Sequence, residues 1–302
     1  MKKTLIIDGG LGRNVSAIGA LENFVEKNKD CTIITQHWTP IFWGNPILSS
    51  NIFDIGTKGL FDKIRDSHIS KPEPYFNIDF INEKISMMSA FNIEINGKDC
   101  VERKPRIYLT KGEIENSHSL VERKKKTIVF QPFGSAVRIH NNGYDISILD
   151  DTCRSMSKEM VIKILNILKK HNFQVLLLDT KNAPFINPNE FNHLNDLDFR
   201  TVAAVIKASD YFIGCDSSGQ HMAYALDKPG STWFSGSSSI NFGYHDHFKI
   251  FEKAEKRRYM PFRISEFDYW VAGLQNDISL EYNDEEISIM CEEILQDIKN
   301  KV

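Results

Sequence analysis

The stretch from Ala208 to Gly236, ASDYFIGCDSSGQHMAYALDKPGSTWFSG, constrains the fold more than any other part of the chain. Its apolar run over Tyr211–Cys215 predicts a buried strand, a Ser/Gly turn opens a helix over Ser217–Leu226, and Lys228-Pro229-Gly230 breaks that helix before a second strand over Ser231–Phe234. Strand, turn, helix, strand is the repeating unit of a parallel α/β sheet. Ligands of such sheets bind outside the carboxyl ends of the strands, where a helix amino terminus offers N–H groups to an anion. Asp216, Ser217, Ser218 and Gly219 stand at that place, with His221 one turn further on, so a phosphate-bearing ligand is one reading. Ser217 and Ser218 would donate hydroxyls and His221 a proton or a positive charge. An ordinary Asp/Ser helix cap, with His221 on an exposed turn, is the other.

The residues upstream extend the unit. Thr127–Phe130 predicts a strand running into Gln131-Pro132-Phe133-Gly134-Ser135, a helix follows over Ser157–His171 with Ser157 as N-cap, then an apolar strand over Gln174–Asp179 and a helix over Leu197–Ser209. The order predicts a helix-covered parallel sheet from 127 to 234. Asp179, at a strand end, is a candidate for ribose hydroxyls.

The first half opens with a strand over Thr4–Asp8, the turn Gly9-Gly10-Leu11-Gly12 and a helix over Val15–Lys27 that Asn14 or Ser16 would cap. The turn lacks GxGxxG spacing, which argues against a nicotinamide site. Strands are expected over Cys31–Thr35, Ile52–Ile55 and Arg106–Leu109, and helices over Lys58–Asp66 and Asn82–Asn92. Trp38 and Trp43 lie in an aromatic loop that would form either a stacking platform for a sugar or base, or a plug on the sheet. Glu122 to Lys126 is a charge run suited to a linker.

At 302 residues the chain exceeds one core, and its organisation is read as residues 1–122, 123–283 and a terminal helix over 284–302. A net charge of −3 argues against wholesale capture of nucleic acid. Five scattered cysteines give neither a disulfide framework nor a CxxC pair, and no metal site is expected. No apolar run reaches membrane-spanning length and no signal peptide opens the chain, so a cytoplasmic protein is expected. The wealth of Lys, Asn and Ile fits a low-GC bacterium or a phage.

The run Asp216-Ser-Ser-Gly-Gln-His-Met-Ala-Tyr-Ala-Leu-Asp-Lys-Pro229, followed by an apolar strand and Gly236, resembles the nucleotide-sugar signature of the heptosyltransferases, glycosyltransferase family nine. The family usually has Gly where this chain has Ser218, and its glycine here comes one place later. The resemblance implies the GT-B fold, α/β with two Rossmann-like domains facing across a cleft and a C-terminal helix crossing back to the first. It implies a donor site of Gly134, Ser135, Arg154, Asp179, Asp216, Ser217, Ser218, Gly219 and His221. Gly10 and Gly12 would lie against the acceptor, with Trp38 and Trp43 as its platform. After that glycine turn the family carries an Asp as general base, and here the position is Arg13. Either Asp8 takes over as base, or Arg13 binds an anionic acceptor or the leaving phosphate; a structural carboxylate at Asp8 is a third reading.

The implied activity is an inverting, metal-independent glycosyl transfer from a nucleoside diphosphate sugar, without a cofactor, to a glycan or lipopolysaccharide-like acceptor, by a monomer. Three alternatives stand beside it. A phage enzyme would glycosylate hydroxymethylated DNA, using the basic segments at 122–126 and 253–263. A non-catalytic protein would only bind the nucleotide sugar, and an epimerase would release an altered sugar.

Overall fold

The computed structural model describes residues 2–122, 124–134, 137–141, 146–150, 154–178, 180, 183–187, 189–252, 262–263, 270–271 and 282–302. The chain divides into two compact units, Met1–Lys111 and Gly112–Val302. The division thus falls upstream of the charge run at 122–126.

In the first unit, strands β1 (Lys3–Ile7), β2 (Cys31–Thr35), β3 (Ile52–Asp54) and β4 (His68–Ser70) form a parallel sheet in the order β3-β2-β1-β4. The register of β1 on β2 runs from Lys3 opposite Cys31 to Ile7 opposite Thr35. Helix α1 (Leu11–Lys27) starts earlier than its apolar spacing suggests. Gly9 turns the chain at a φ of 83°, a region that favours glycine, and Gly10 is an extended N-cap with no side-chain cap bond. Asn14 and Ser16 therefore lie inside the helix and bond backwards, Asn14 Nδ2 to the Gly10 carbonyl at 3.1 Å and Ser16 Oγ to that of Gly12 at 3.0 Å.

Short helices α2 (Leu60–Ile64) and α3 (Ile78–Ile81) precede α4 (Met87–Asn96), whose N-cap Ser86 accepts from the Ser89 amide at 3.1 Å. The strand expected over Arg106–Leu109 is absent among the described residues, and residues 101–110 carry no regular structure. That segment instead packs across α1. A Cβ at Gly19 would lie 2.0 Å from the Arg103 carbonyl oxygen, so only glycine admits the crossing.

The second unit opens with α5 (Lys111–Ser117). It continues with β5 (Thr127–Gln131), the antiparallel pair β6 (Arg138–Asn141) and β7 (Ile146–Leu149), α6 (Lys158–Lys170), β8 (Gln174–Leu178), β9 (Asn192–Leu194) and α7 (Phe199–Ala208). Then come β10 (Tyr211–Cys215), α8 (Ser218–Ala225), β11 (Gly230–Phe234), α9 (Ser239–Phe242), β12 (Phe248–Glu252), the pair β13 (Phe262–Arg263) and β14 (Trp270–Val271), and α10 (Asp284–Lys301). The sheet runs β12-β11-β10-β5-β8-β9, parallel throughout. The chain fills one side of β5 first and then returns to the other through β10, which is the doubly wound order of a dinucleotide-type fold. Its topological switch point lies between β5 and β10.

Ser157 caps its helix as expected, and two further caps are seen. Ser157 accepts from the Met160 amide at 3.2 Å, Asp198 from Arg200 and Thr201 at 2.9 and 3.0 Å, and Asn283 forms a reciprocal capping box with Glu286. The apolar stripe of α10, Ile287, Met290, Cys291, Ile294 and Ile298, lies in the core of the second unit with the α6 stripe and the strand residues Ile128, Phe130 and Ile213. Tyr211 ties β10 to this helix, its hydroxyl bonding Asp297 and, at 2.6 Å, Ser231.

Candidate active site

The switch point of the second unit is where β5 ends in Gln131 and β10 ends in Cys215, and the polar turns that follow meet there. Gln131 Oε1 accepts from the Gly219 amide at 3.0 Å, so the first turn of α8 is fastened across the switch point by a side chain of β5. A Cβ at residue 219 would sit 2.2 Å from that oxygen and 3.0 Å from the Phe212 ring. Glycine is required here for packing. Asp216 is buried, its carboxylate accepting from Gln220 Nε2 at 2.7 Å and from Ser237 Oγ at 2.5 Å. Ser217 is the N-cap of α8, yet no side-chain cap bond forms, and Ser218 is half-buried beside it.

Arg154 reaches the same turn, Nη1 donating to the Asp216 carbonyl at 3.4 Å. Its loop is held by Asp150, whose Oδ2 accepts from the Ser155 hydroxyl at 2.6 Å and the Ser155 and Arg154 amides at 2.9 and 3.3 Å. Ser155 Oγ in turn accepts from the Gly134 amide at 3.0 Å, so that amide is already engaged. Gly134, Arg154, Asp216, Ser217, Ser218 and Gly219 are thus brought together at the end of one sheet. Ser135 and Asp179 lie outside the described residues, as do Cys153 and most of 253–263.

His221 does not lie on an exposed turn, and of the two contributions expected of it the positive charge is disfavoured. It is buried, its Nδ1 is 2.6 Å from the Tyr244 hydroxyl, and burial pushes its pKa down to about 4, against an opposing pull from Asp216. At neutral pH the imidazole carries no positive charge. Tyr244 belongs to the segment 237–247, which reads in sequence as a polar, flexible loop. In the structure Ser237, Ser238, Ser239 and Asn241 are buried and part of the segment is α9, because these side chains close over the end of the sheet. A cavity of about 1020 Å³ lies elsewhere, along β8 and β9, bordered by Gln174, Thr180, Phe191, His193 and Asn195.

The first unit has its own switch point, between β1 and β4, and four charges gather there. Asp8 leaves β1 and pairs with Lys71 Nζ at 2.5 Å and Arg13 Nη2 at 3.4 Å. Arg13 donates to both oxygens of Glu73, at 2.8 and 3.2 Å, and to the Pro72 carbonyl at 3.3 Å. Its guanidinium lies over Tyr75 and Phe91, and its side chain is 4% exposed. Such an arginine, bidentate and enclosed, fixes the loop after β4, which corrects the expectation that it binds an incoming anion. Both Glu73 oxygens are taken up by Arg13, whereas Asp8 is nearer solvent and paired to a partly exposed lysine. Both carboxylates are therefore paired, Glu73 with Arg13 and Asp8 with Lys71 and Arg13.

Gly10 is exposed and Gly12 half-buried at the start of α1. Trp38 backs this turn, Nε1 donating to the Gly9 carbonyl at 2.8 Å, while Trp43 is 55% exposed. Ile41 and Phe42 are buried, and the loop therefore plugs the sheet through them and leaves Trp43 exposed. Gln131 and Gln220 lie within the quoted runs without a role assigned from sequence, whereas Lys71, Glu73, Asp150, Ser155, Ser237 and Tyr244 carry no motif signal; only the strand order would have pointed to them.

No protein-family model matches the chain, and no curated protein matches it in sequence. Its fold is GT-B, the α/β architecture of the heptosyltransferases. The ADP-heptose lipopolysaccharide heptosyltransferase II of E. coli is similar with a TM-score of 0.65 at 12% identity, covering 99% of each chain. A family 9 glycosyl transferase of Veillonella parvula gives 0.65 at 10%, covering 99% of this chain and 97% of its own. TibC of enterotoxigenic E. coli, an iron-containing dodecameric glycosyltransferase, gives 0.62 at 13%, covering 99% and 78%. Among the described residues no group of three or more His, Cys, Asp or Glu could hold a metal ion, and no helix is long and apolar enough to cross a membrane.

Proposed function

We propose that this chain is a glycosyltransferase that takes its sugar from a nucleoside diphosphate donor. The observation that supports this most is the convergence of Arg154, the uncapped Ser217–Ser218 turn and the amino end of α8 on the switch point of a doubly wound sheet. Structures of similar proteins carry the matching ligand class: TibC in complex with ADP-D-β-D-heptose at a TM-score of 0.59, and a heptosyltransferase with ADP at 0.54.

In this reading Arg154 and the two serine hydroxyls hold the diphosphate and neutralise the charge that develops as it leaves. His221 contributes a neutral N–H, and the nucleoside extends along the end of β8. The acceptor hydroxyl oxygen attacks the anomeric carbon as the bond from that carbon to the diphosphate breaks, with inversion. Asp8 takes the hydroxyl proton, and Lys71 balances the carboxylate before transfer. Arg13 and Glu73 keep the loop in place. The acceptor is a glycan or lipopolysaccharide-like molecule that meets the Gly10–Gly12 turn and Trp43. The protein works in the cytoplasm as a monomer, and no metal takes part.

A thermal-shift screen of nucleoside diphosphates tests the donor half, because a bound ligand raises the melting temperature by mass action. Release of nucleoside diphosphate from the matching sugar donor, lost in Asp8→Asn while binding persists, supports an enzyme with Asp8 as base. Binding without turnover on any acceptor would instead mark a protein that only binds the nucleotide sugar.

A further inference from the structure

Tyr244 stands far from the motif in sequence and meets it in space. Its hydroxyl is 2.6 Å from His221 Nδ1, with the two rings edge to face at 5.6 Å. The Tyr244 ring is itself fixed, stacked on Tyr224 at 3.7 Å between centroids and 12° between planes, with Phe248 against its edge at 6.0 Å. Tyr224 lies three residues after His221 on α8, so one helix supplies both the imidazole and the platform that holds its partner. Both Tyr244 and His221 are buried, which makes the bond between them costly to leave unmade.

We propose that Tyr244 is a positioning residue: its hydroxyl donates to His221 Nδ1, fixes the ring plane and assigns the single ring proton to Nε2. The inference rests on the reading that His221 faces the donor diphosphate, for which an Nε2–H donor is useful and an Nε2 lone pair is repulsive. A phenol is a better donor than a neutral imidazole and imidazole nitrogen the better acceptor, which sets the direction of the bond. The hydrogen bond to one ring nitrogen selects the role of the other, as it does for histidines that bind metals. Among the described residues, the charged and titratable groups facing the ring are Tyr244 and, from the turns beside it, Asp216 and Arg154, with Tyr224 stacked on Tyr244 and His247 against Tyr224. Asp216 favours a second proton on the ring and burial, the larger effect, opposes it, so the ring keeps a single proton.

Nitrogen-15 NMR of histidine-labelled protein at pH 7 reads the tautomer directly, with His221→Gln identifying the resonances. The expected spectrum has His221 neutral and protonated at Nε2, shifting toward an Nδ1–H mixture in Tyr244→Phe, which keeps the stack and loses only the hydroxyl. An Nδ1–H ring in the unaltered protein, or an unchanged tautomer in Tyr244→Phe, overturns the proposal; the first of these needs no variant to fold. Inorganic pyrophosphate added to the unaltered protein separates the two claims. It should perturb Nε2 and bind about fivefold more weakly to Tyr244→Phe, the worth of one neutral hydrogen bond. An Nε2–H ring that ignores pyrophosphate upholds the positioning role and overturns the donor-site reading.

Discussion

At residue 219 a single hydrogen atom separates a fitted turn from a clash. Gly219→Ala places a methyl group 2.2 Å from Gln131 Oε1, and the strain of overpacking is about 1–3 kcal/mol. Chemical denaturation of Gly219→Ala, Gln131→Ala and the double variant should show the double losing less than the sum, since removing the Gln131 side chain opens the space. Additive losses would mean that the Phe212 ring, at 3.0 Å, dominates the clash. His221 gives a second residue-scale expectation. Its folded pKa, about 4, lies below the ordinary value of 6.5, so the unfolded chain binds more protons between those limits. The stability contributed by the neutral ring is complete above pH 6.5 and lost as pH falls toward 4, on the order of 3 kcal/mol in all. Denaturation midpoints compared across that window should fall for the unaltered protein, with a shallower fall in His221→Gln. Parallel curves would contradict a buried neutral ring.

The amino end of α1 carries the clearest element-scale prediction. Gly10 is an N-cap with ordinary extended dihedrals, and a Cβ there meets nothing within 4 Å, so neither conformation nor packing demands glycine. Gly10→Ser should therefore hold or raise the melting temperature, by a few tenths of a kcal/mol for a serine cap over a glycine one. If the turn lies against the acceptor, the same change should raise the KM for acceptor without altering donor binding. Unchanged kinetics would remove Gly10 from the site. Elements of this kind differ in how far the sequence exposes them. Tyr211–Cys215 matches its prediction to the residue, since a strand buried on both faces is an unbroken apolar run between turn signals. Arg106–Leu109 is apolar after its arginine, yet whether such a run joins a ladder depends on what lies beside it. Here Gly19 and Gly44 open a path across α1 and the β2–β3 connection, where Tyr108 packs 3.3 Å from the position of a Gly44 Cβ. The charges around Arg13 were hidden for a related reason: Glu73 and Lys71 are some sixty residues away and join it only because β4 pairs with β1.

For the whole molecule, the strand order matters more than any single motif. Two parallel sheets each bring their charged or polar turns to a switch point, Asp8 with Lys71 in one unit and Arg154 with Asp216 in the other. The signature from Asp216 to Pro229 suggested the second grouping, and the doubly wound order supplies the physical reason that it gathers there. The account depends on that grouping binding a nucleoside diphosphate, and isothermal titration calorimetry with unaltered protein and Arg154→Met tests it most directly. One nucleoside diphosphate should bind once per chain, about tenfold or more weakly in the variant, as expected for a charge-assisted hydrogen bond. Failure of every nucleoside diphosphate to bind at millimolar concentration, or equal affinity in Arg154→Met, would contradict the account.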